Sequence, residues 1–567
     1  MPKEMYGECN SVEKGLTMVQ VAKLIGGAGT GKTTELLRIM GDIVQRGVDP
    51  YDIGFVSFTQ AARTEAAERV ASQFGVDATR LQQRGWFRTL HSVCYQGLGG
   101  KLGDRMLTGT KADREWLEEV IGEQCMGVGS VGPSEDGAET YEEANRPVKV
   151  LTMWGIARNR MVSLAEVRKE LVQCGEDVPS LEYCRGVVSR YEGAKYRDDR
   201  LDFVDLAGKF AGWVWDVDGE PIAGTPQGVT PDVPVWIFDE HQDVSRLLDS
   251  VAARLAYSPG CRWVYYAGDP FQSIYGFGGS DYRCLIDAPC DQYRVMERSW
   301  RCPEAILKLG EKILRPSLDY FDRKIRPNEP GGEVRRLSSI SEVGRHIDPR
   351  ESWMLIARTN YHAGKLKGFL SREGIPWDYT KGSGGYVTPS LRTVCASLYE
   401  LQRGGDVDGA TWETVLKNLP AGKGEGAFLQ RGVKTTVVAG KYEPPRGLIG
   451  LERVVEGGAT EVLRDVIASG GWVHHVQGAE AYVAATRRWG KDAANEPRVR
   501  VGTIHSVKGS EAENVVVLDS MSMKSHRGRR TREGMDAERR VAYVAATRAR
   551  KRLWILSQRN DRYRMEF

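Results

Sequence analysis

The chain of 567 residues carries ten cysteines, all scattered singly, and no C-x-x-C pair. Its nearest grouping, Cys284, Cys290 and Cys302, lacks the spacing of zinc ligands. Disulfide scaffolds and zinc modules are therefore set aside, and buried free thiols in a reducing, cytoplasmic setting are expected. Long apolar runs are missing too. The opening segment from Met1 to Lys14 has no apolar core, and no later stretch approaches 18 consecutive apolar residues, which argues against secretion and membrane spanning. Net charge is only +3 with 27% charged residues, so any nucleic-acid surface must come from clustering rather than bulk basicity. No periodic repeat argues for a solenoid. The length suggests about four domain-sized units.

What the chain does have is Gly26-Gly27-Ala28-Gly29-Thr30-Gly31-Lys32-Thr33-Thr34. It fits G-x-x-x-x-G-K-[ST], in which backbone N–H groups cradle phosphates, the lysine reaches the outer ones and a hydroxyl, here Thr33, ligates magnesium. Val19, Val21, Leu24 and Ile25 precede it as an apolar run, and Leu36, Leu37, Met40, Ile43 and Val44 follow at helical spacing. A strand, a glycine turn and a helix are predicted, with the helix N-terminus aimed at an anion.

Apolar runs alternate with helical periodicity from Val19 to about Cys94, which reads as parallel α/β. Residues from about 100 to 200 turn polar and helical, with a loop rich in glycine and acid around Gly127 to Glu143. The α/β pattern resumes at Val233–Phe238 and Trp263–Ala267, runs that end on Asp239-Glu240 and Gly268-Asp269. A second α/β unit starts near Gly332, with Trp353–Ala357 as a buried strand and Ala363–Leu370 as its helix. It is interrupted between about 384 and 495 by glycine-rich, low-periodicity sequence before Val499, Val501 and Val515–Leu518 restore strand character. The expected architecture is two α/β cores, each with an inserted subdomain, the first mainly helical and the second small and irregular.

A hydrophobic strand ending in Asp239-Glu240 offers two carboxylates for two tasks. One holds magnesium and one orients a water. Several further segments, in order along the chain, resemble the superfamily 1 DNA helicases of the UvrD/Rep type. They are Phe55–Ala62 (motif Ia), Thr89–Ser92 (Ib), Asp239–Asp243 (II), Gly268–Phe277 (III), Glu297–Arg301 (IV), Thr503–Glu511 (V) and Glu538–Ala549 (VI), with Leu201–Leu206 before motif II. Two departures stand out. Gly278 replaces a common arginine, and Phe277 a common tryptophan. The glutamine that commonly contacts adenine upstream of the phosphate loop has no counterpart among residues 1–18.

The resemblance implies two RecA-like domains in tandem, the first core in 1–100 and 201–297 with insertion 101–200, the second in 298–383 and 496–567 with insertion 384–495. It implies ATP and Mg2+ as cofactors, with Gly26, Ala28, Gly29, Thr30, Gly31, Lys32, Thr33 and Thr34 around the phosphates, and Thr33 and Asp239 on the metal. Glu240 would polarise the attacking water, and Gln272 would sense the terminal phosphate. Arg301 and Arg548 would compensate its charge as the domains close, Trp300 would stack on adenine and Glu511 would bond the ribose. Phe58, Thr59, His91, Tyr275, Phe277, His505 and Lys508 stand at matching positions for a strand track of phosphate donors and stacking rings. Between Lys524 and Arg552 eleven basic residues face three acidic ones, which reads as a polybasic loop attracting phosphate or as a solvated charge run.

The resulting expectation is an ATP-dependent motor on single-stranded DNA and its junctions with duplex, moving 3′ to 5′ by resemblance, with replication or repair proteins as partners and an oligomeric state the sequence leaves open. Alternatives are a translocase that strips proteins or acts on RNA, and a nucleotide-switched DNA clamp. The chain ends soon after the Leu553–Leu556 run, so no appended nuclease domain is expected.

Overall fold

The computed structural model describes residues 19–57, 60–83, 85–125, 145–382, 384–420, 424–558 and 561–567. Phe58, Thr59 and the Gly127–Glu143 loop fall outside them. Contacts divide the chain into two compact units, one of residues 1–333, 521–551 and 563–567, the other of 334–520 and 552–562.

In the first unit, β1 (Gln20–Gly26), β2 (Ile53–Val56), β3 (Trp86–Arg88), β4 (Val235–Phe238), β5 (Trp263–Gly268) and β6 (Gln292–Met296) form one sheet in the order β3-β2-β4-β5-β1-β6. Every pair is parallel, so all six strands deliver their C-terminal ends to one edge. That edge is where open α/β sheets bind ligands. The strands β2 and β4 are buried at every residue, the continuous apolar signature of a parallel sheet covered on both faces. One face packs Leu36, Met40 and Val70 from α1 (Lys32–Gln45) and α2 (Gln60–Phe74). The other packs Val93 of α3 (Leu90–Gly97) with residues of later helices.

Between β3 and β4 lie α4 (Lys111–Ile121), α5 (Arg146–Arg160), α6 (Leu164–Gln173) and α7 (Leu181–Arg197) around a core that includes Leu117, Leu151, Trp154 and Val187. They lead to α8 (Phe203–Ala211), where Asp202 and Asp205 form a capping box. The same two carboxylates receive the buried Arg158 and Lys195 at 2.6 to 3.0 Å, which ties α5 and α7 to the start of α8. Helices α9 (Arg246–Ala256) and α10 (Glu304–Leu314) also belong to this unit.

A second six-stranded sheet, most of whose residues belong to the second unit, is made of β7 (Glu333–Leu337), β8 (Trp353–Ala357), β9 (Asp378–Tyr379), β10 (Val499–Thr503), β11 (Ala512–Leu518) and β12 (Ala549–Leu556), in the order β7-β12-β11-β8-β10-β9. The helix α11 (Asn360–Arg372) packs Leu366 and Phe369 on it.

The second insertion corrects the expectation of irregular structure. Residues 384–495 hold α12 (Pro389–Gln402), α13 (Gly409–Asn418), α14 (Val433–Val438), α15 (Glu461–Ser469), α16 (Ala479–Trp489) and α17 (Lys491–Asn495). They share a core that includes Leu398, Trp412, Ile467, Trp472 and Tyr482. The glycines that hid this pattern lie at helix ends. Gly470 ends α15 at φ 77°, the left-handed conformation common at helix C-termini, and Gly432 and Gly478 precede α14 and α16 at φ 88° each, a conformation other residues resist. The basic run is corrected likewise, from loop to α18 (Met523–Gly528) and α19 (Arg532–Ala546). The nine described cysteines are free, eight of them buried.

Candidate nucleotide site and strand cavity

The phosphate loop joins β1 to α1 as the motif predicts. Gly29 and Gly31 sit at φ of 67° and 80°, and Gly31 caps α1 with no side chain of its own in the way. A Cβ on Gly26 would lie 2.4 Å from Thr30 Oγ1, and one on Gly29 would lie 2.2 Å from the Arg301 Cβ. The glycines are needed for close approach as well as for turning. Lys32 donates from Nζ to the Gly26 carbonyl at 3.1 Å, folded back across the loop.

Two carboxylates stand beside it at the end of β4. Thr33 donates from Oγ1 to Asp239 Oδ2 at 3.1 Å, so the hydroxyl and the carboxylate assigned to one metal face each other directly. Burial first, then the Glu240 charge, push the Asp239 carboxyl up to about 7 against the pull of Lys32. A divalent cation between the Thr33 and Asp239 oxygens would restore the charged form, so these residues fit magnesium. Glu240 follows in a left-handed conformation, φ 55°, and its carboxylate accepts from Gln242 Nε2.

Gln242 joins motif II to motif III, because its Oε1 accepts from the Asp269 backbone N–H at 3.1 Å. A Cβ on Gly268 would lie 2.2 Å from that oxygen, which explains the glycine ending β5. Gln272 then donates from Nε2 to Asp269 Oδ2 at 2.9 Å, and its own oxygen accepts from Arg548 Nη2 at 3.3 Å. Arg548 also donates from Nε to the Val544 carbonyl at 3.0 Å. It is fully buried, and burial followed by the like charge of Arg301 lowers it to about 10, still cationic at neutral pH.

The segment carrying Arg301 runs along the loop. Ser299 Oγ donates to the Ala28 carbonyl at 2.7 Å, and the Trp300 N–H to the Gly29 carbonyl at 2.8 Å. Trp300 is 58% exposed, which excludes a core role, and its indole lies 3.7 Å from where a Gly31 Cβ would stand. The Arg298 guanidinium covers one region of that ring at 4.4 Å. An open ring beside the N-terminus of α1 suits a base platform. Lys32, Asp239, Glu240, Gln272, Arg301, Trp300 and Arg548 thus all lie in the first unit.

A cavity of about 290 Å³ opens at the same sheet edge. Its walls include Ser57, Thr89, His91, Phe203, Asp239, Tyr275 and Phe277, so three expected strand contacts meet within reach of the metal carboxylate. Tyr275 and Phe277 stand edge to face at 6.2 Å, and His91 meets Phe203 edge to face at 5.6 Å. Burial holds the His91 imidazole down at about 4, neutral at physiological pH. Phe203 comes from the segment after Leu201, and the structure adds it to the aromatic set.

The remaining expected contacts lie elsewhere. His505 (buried), Lys508 (half-buried) and Glu511 (exposed) follow β10 in the second unit. The turn there is held by Thr380 and Ser506, whose hydroxyls are 2.7 Å apart. Several cations of the basic run are engaged within the first unit. Arg527 donates to the Gly175 carbonyl, Lys524 meets Glu176, Arg529 meets Glu566, and Arg540 donates from Nε to the Ser273 carbonyl at 3.0 Å. The run is in large part structural. Sequence reasoning also missed Arg323, a fully buried guanidinium paired with Asp269 at 2.6 Å. It belongs to no motif, so only the folded chain reveals it.

Comparison with known proteins gives two family matches, a UvrD/REP helicase N-terminal domain over residues 13–291 and a UvrD-like helicase C-terminal domain over 483–560. The chain is 23% identical over 418 residues to the ATP-dependent DNA helicase UvrD1 of Mycobacterium tuberculosis, a match that spans 68% of this chain and 51% of that protein. It is 21% identical over 406 residues to the ATP-dependent DNA helicase PcrA of Staphylococcus aureus, spanning 68% and 52%. Against YjcD of Bacillus subtilis it is 22% identical over 620 residues, spanning 95% and 77%. The chain spans about half the length of the mycobacterial and staphylococcal relatives it matches.

Proposed function

Because the chain belongs to the UvrD/Rep type of superfamily 1 helicases, we propose that it is an ATP-dependent DNA helicase or translocase that moves 3′ to 5′ on single-stranded DNA and opens junctions with duplex. The observation that carries this reading is the Arg548–Gln272 contact at 3.3 Å, in the unit that also holds the phosphate loop and the Asp239-Glu240 pair. A switch protein needs only to bind nucleotide. A hydrolase needs a phosphate sensor and a charge-compensating arginine together.

The division of labour follows from the side chains. Backbone N–H groups of the loop and Lys32 hold the phosphates, and Glu240 orients and polarises the attacking water. Gln272 reads the terminal phosphate, while Arg301 and Arg548 offset the charge that spreads over its oxygens. Bound at Thr33 and Asp239, magnesium would neutralise phosphate charge. Trp300 stacks the base, and Glu511 bonds the ribose. His91, Tyr275 and Phe277, with Phe58, Thr59, His505 and Lys508, grip the strand through its backbone and bases, a mode indifferent to sequence. Arg540, which reaches from α19 to the Ser273 carbonyl, joins the helix leading to Arg548 to the loop leading to Tyr275.

Phosphate release measured with and without single-stranded DNA tests the reading. The intact chain is expected to show strand-stimulated turnover and Glu240→Gln to lose it. Turnover that ignores both DNA and Glu240 overturns the proposal, and stimulation by RNA alone moves it to the RNA alternative. Opening of a 3′-tailed duplex in preference to a 5′-tailed one is the expected polarity; the reverse preference rejects the direction and keeps the motor.

A further inference from the structure

Arg323 lies in the segment after α10, outside every motif, and is fully buried. Both terminal nitrogens of its guanidinium are engaged, while its Nε has no hydrogen-bond partner among the described residues. Nη1 donates to Asp269 Oδ1 at 2.6 Å and to the Tyr543 hydroxyl at 3.3 Å, and Nη2 donates to Glu311 Oε1 at 2.9 Å. The group also lies over the rings of Phe271 and Tyr543, at 4.5 and 5.2 Å from their centroids. A buried ion pair of this kind is weak evidence of a stabilising role, since desolvation offsets most of the attraction. What sets this pair apart is where its partners lead.

Asp269 Oδ2 is the acceptor for Gln272 Nε2, and that bond turns the amide so that its oxygen faces Arg548. The Tyr543 hydroxyl donates to Asp269 Oδ2 at 3.3 Å and accepts from the Ala28 N–H of the phosphate loop at 3.3 Å. The guanidinium also reaches the loop itself. A Cβ on Gly27 would stand 3.5 Å from Arg323 Nη1 and 3.4 Å from the Tyr543 hydroxyl, so the loop backbone passes directly beside this group.

We propose that Arg323 is a positioning residue for nucleotide hydrolysis, aligning the Gln272 amide through Asp269 and the phosphate loop through Tyr543. Its planar fork serves Asp269, Tyr543 and Glu311 at once, which the single ammonium of lysine does not reproduce. Without the fork, the Asp269 carboxylate loses the guanidinium that holds its Oδ1 and the Gln272 amide loses a fixed anchor. The inference rests on the hydrolase reading above.

The test is a double-mutant cycle between Arg323→Lys and Gln272→Ala, read as kcat of DNA-stimulated phosphate release beside the affinity for a nonhydrolysable ATP analogue. Arg323→Lys is expected to lower kcat about tenfold with analogue affinity changed less than about twofold, and to add little further loss to Gln272→Ala. Arg323→Gln is expected to lower kcat more. Unchanged kcat in Arg323→Lys overturns the proposal. So does full additivity with Gln272→Ala, the mark of a structural role alone. If Arg323→Gln does not fold, the lysine variant and Tyr543→Phe, which removes the hydroxyl bridge, carry the same cycle. A wild-type chain that binds the analogue without turning over ATP overturns the hydrolase reading, whereas active wild type with an indifferent Arg323→Lys overturns this inference only.

Discussion

Arg548 gives its Nη2 hydrogen to the side-chain oxygen of Gln272 at 3.3 Å, although 276 residues separate the two. The acceptor is a neutral amide, and a bond to an anionic phosphate oxygen is shorter and roughly twice as strong. A terminal phosphate is therefore the better partner for a guanidinium already desolvated at the right place.

Removing that guanidinium tests its share. Arg548→Ala is expected to slow DNA-stimulated hydrolysis by about 10³-fold or more, in the range seen for arginine fingers, while affinity for a nonhydrolysable analogue falls far less. Steady-state turnover beside equilibrium titration measures both, and an equal loss in the two would mean ground-state binding only.

The phosphate loop offers a backbone test. Gly29→Ala places a methyl 2.2 Å from the Arg301 Cβ at a residue with φ of 67°, so strain and collision act together. Nucleotide affinity is expected to fall by more than tenfold with the sheet intact. Gly47→Ala also sits at positive φ, 96°, but meets nothing within 4 Å; it is expected to leave affinity unchanged and so isolates the collision.

For the strand cavity, Phe277→Ala removes a stacking face and is expected to weaken single-strand binding by about 1–3 kcal/mol, irrespective of base sequence. Fluorescence anisotropy with homopolymeric oligonucleotides measures it. An unchanged affinity would return Phe277 to a packing role.

His91 gives a pH prediction. Its folded-state pKa, about 4, lies below the ordinary 6.5 because burial disfavours the imidazolium. The unfolded chain therefore binds the proton first as pH falls. The stability from neutral His91 is complete above about 6.5, declines between 6.5 and 4 and is gone below that. The full effect is at most about 3 kcal/mol, less because the ring is partly exposed. Denaturant unfolding from pH 7.5 to 4.5 is expected to show a shallower acid loss in His91→Gln than in wild type; parallel curves would sink the assignment.

The local physics of the chain was enough to determine the phosphate loop, the carboxylates ending β4 and the alternation of strand and helix. Each depends on neighbours within a few residues, such as the glycines that admit phosphate or the buried run Val235–Phe238. Helices in 384–495 were less legible because their glycine-rich ends dilute the periodicity that marks helix interiors. Folding alone decided the rest. Only a parallel sheet that brings β4 and β5 to one edge sets Gln242 against Asp269, and only the packing of α19 beside that edge delivers Tyr543 and Arg548 to Gln272. Arg323 shows the limit most plainly. A buried charge owes its partners to chain segments far apart in sequence, and no spacing rule connects position 323 with 269 and 543.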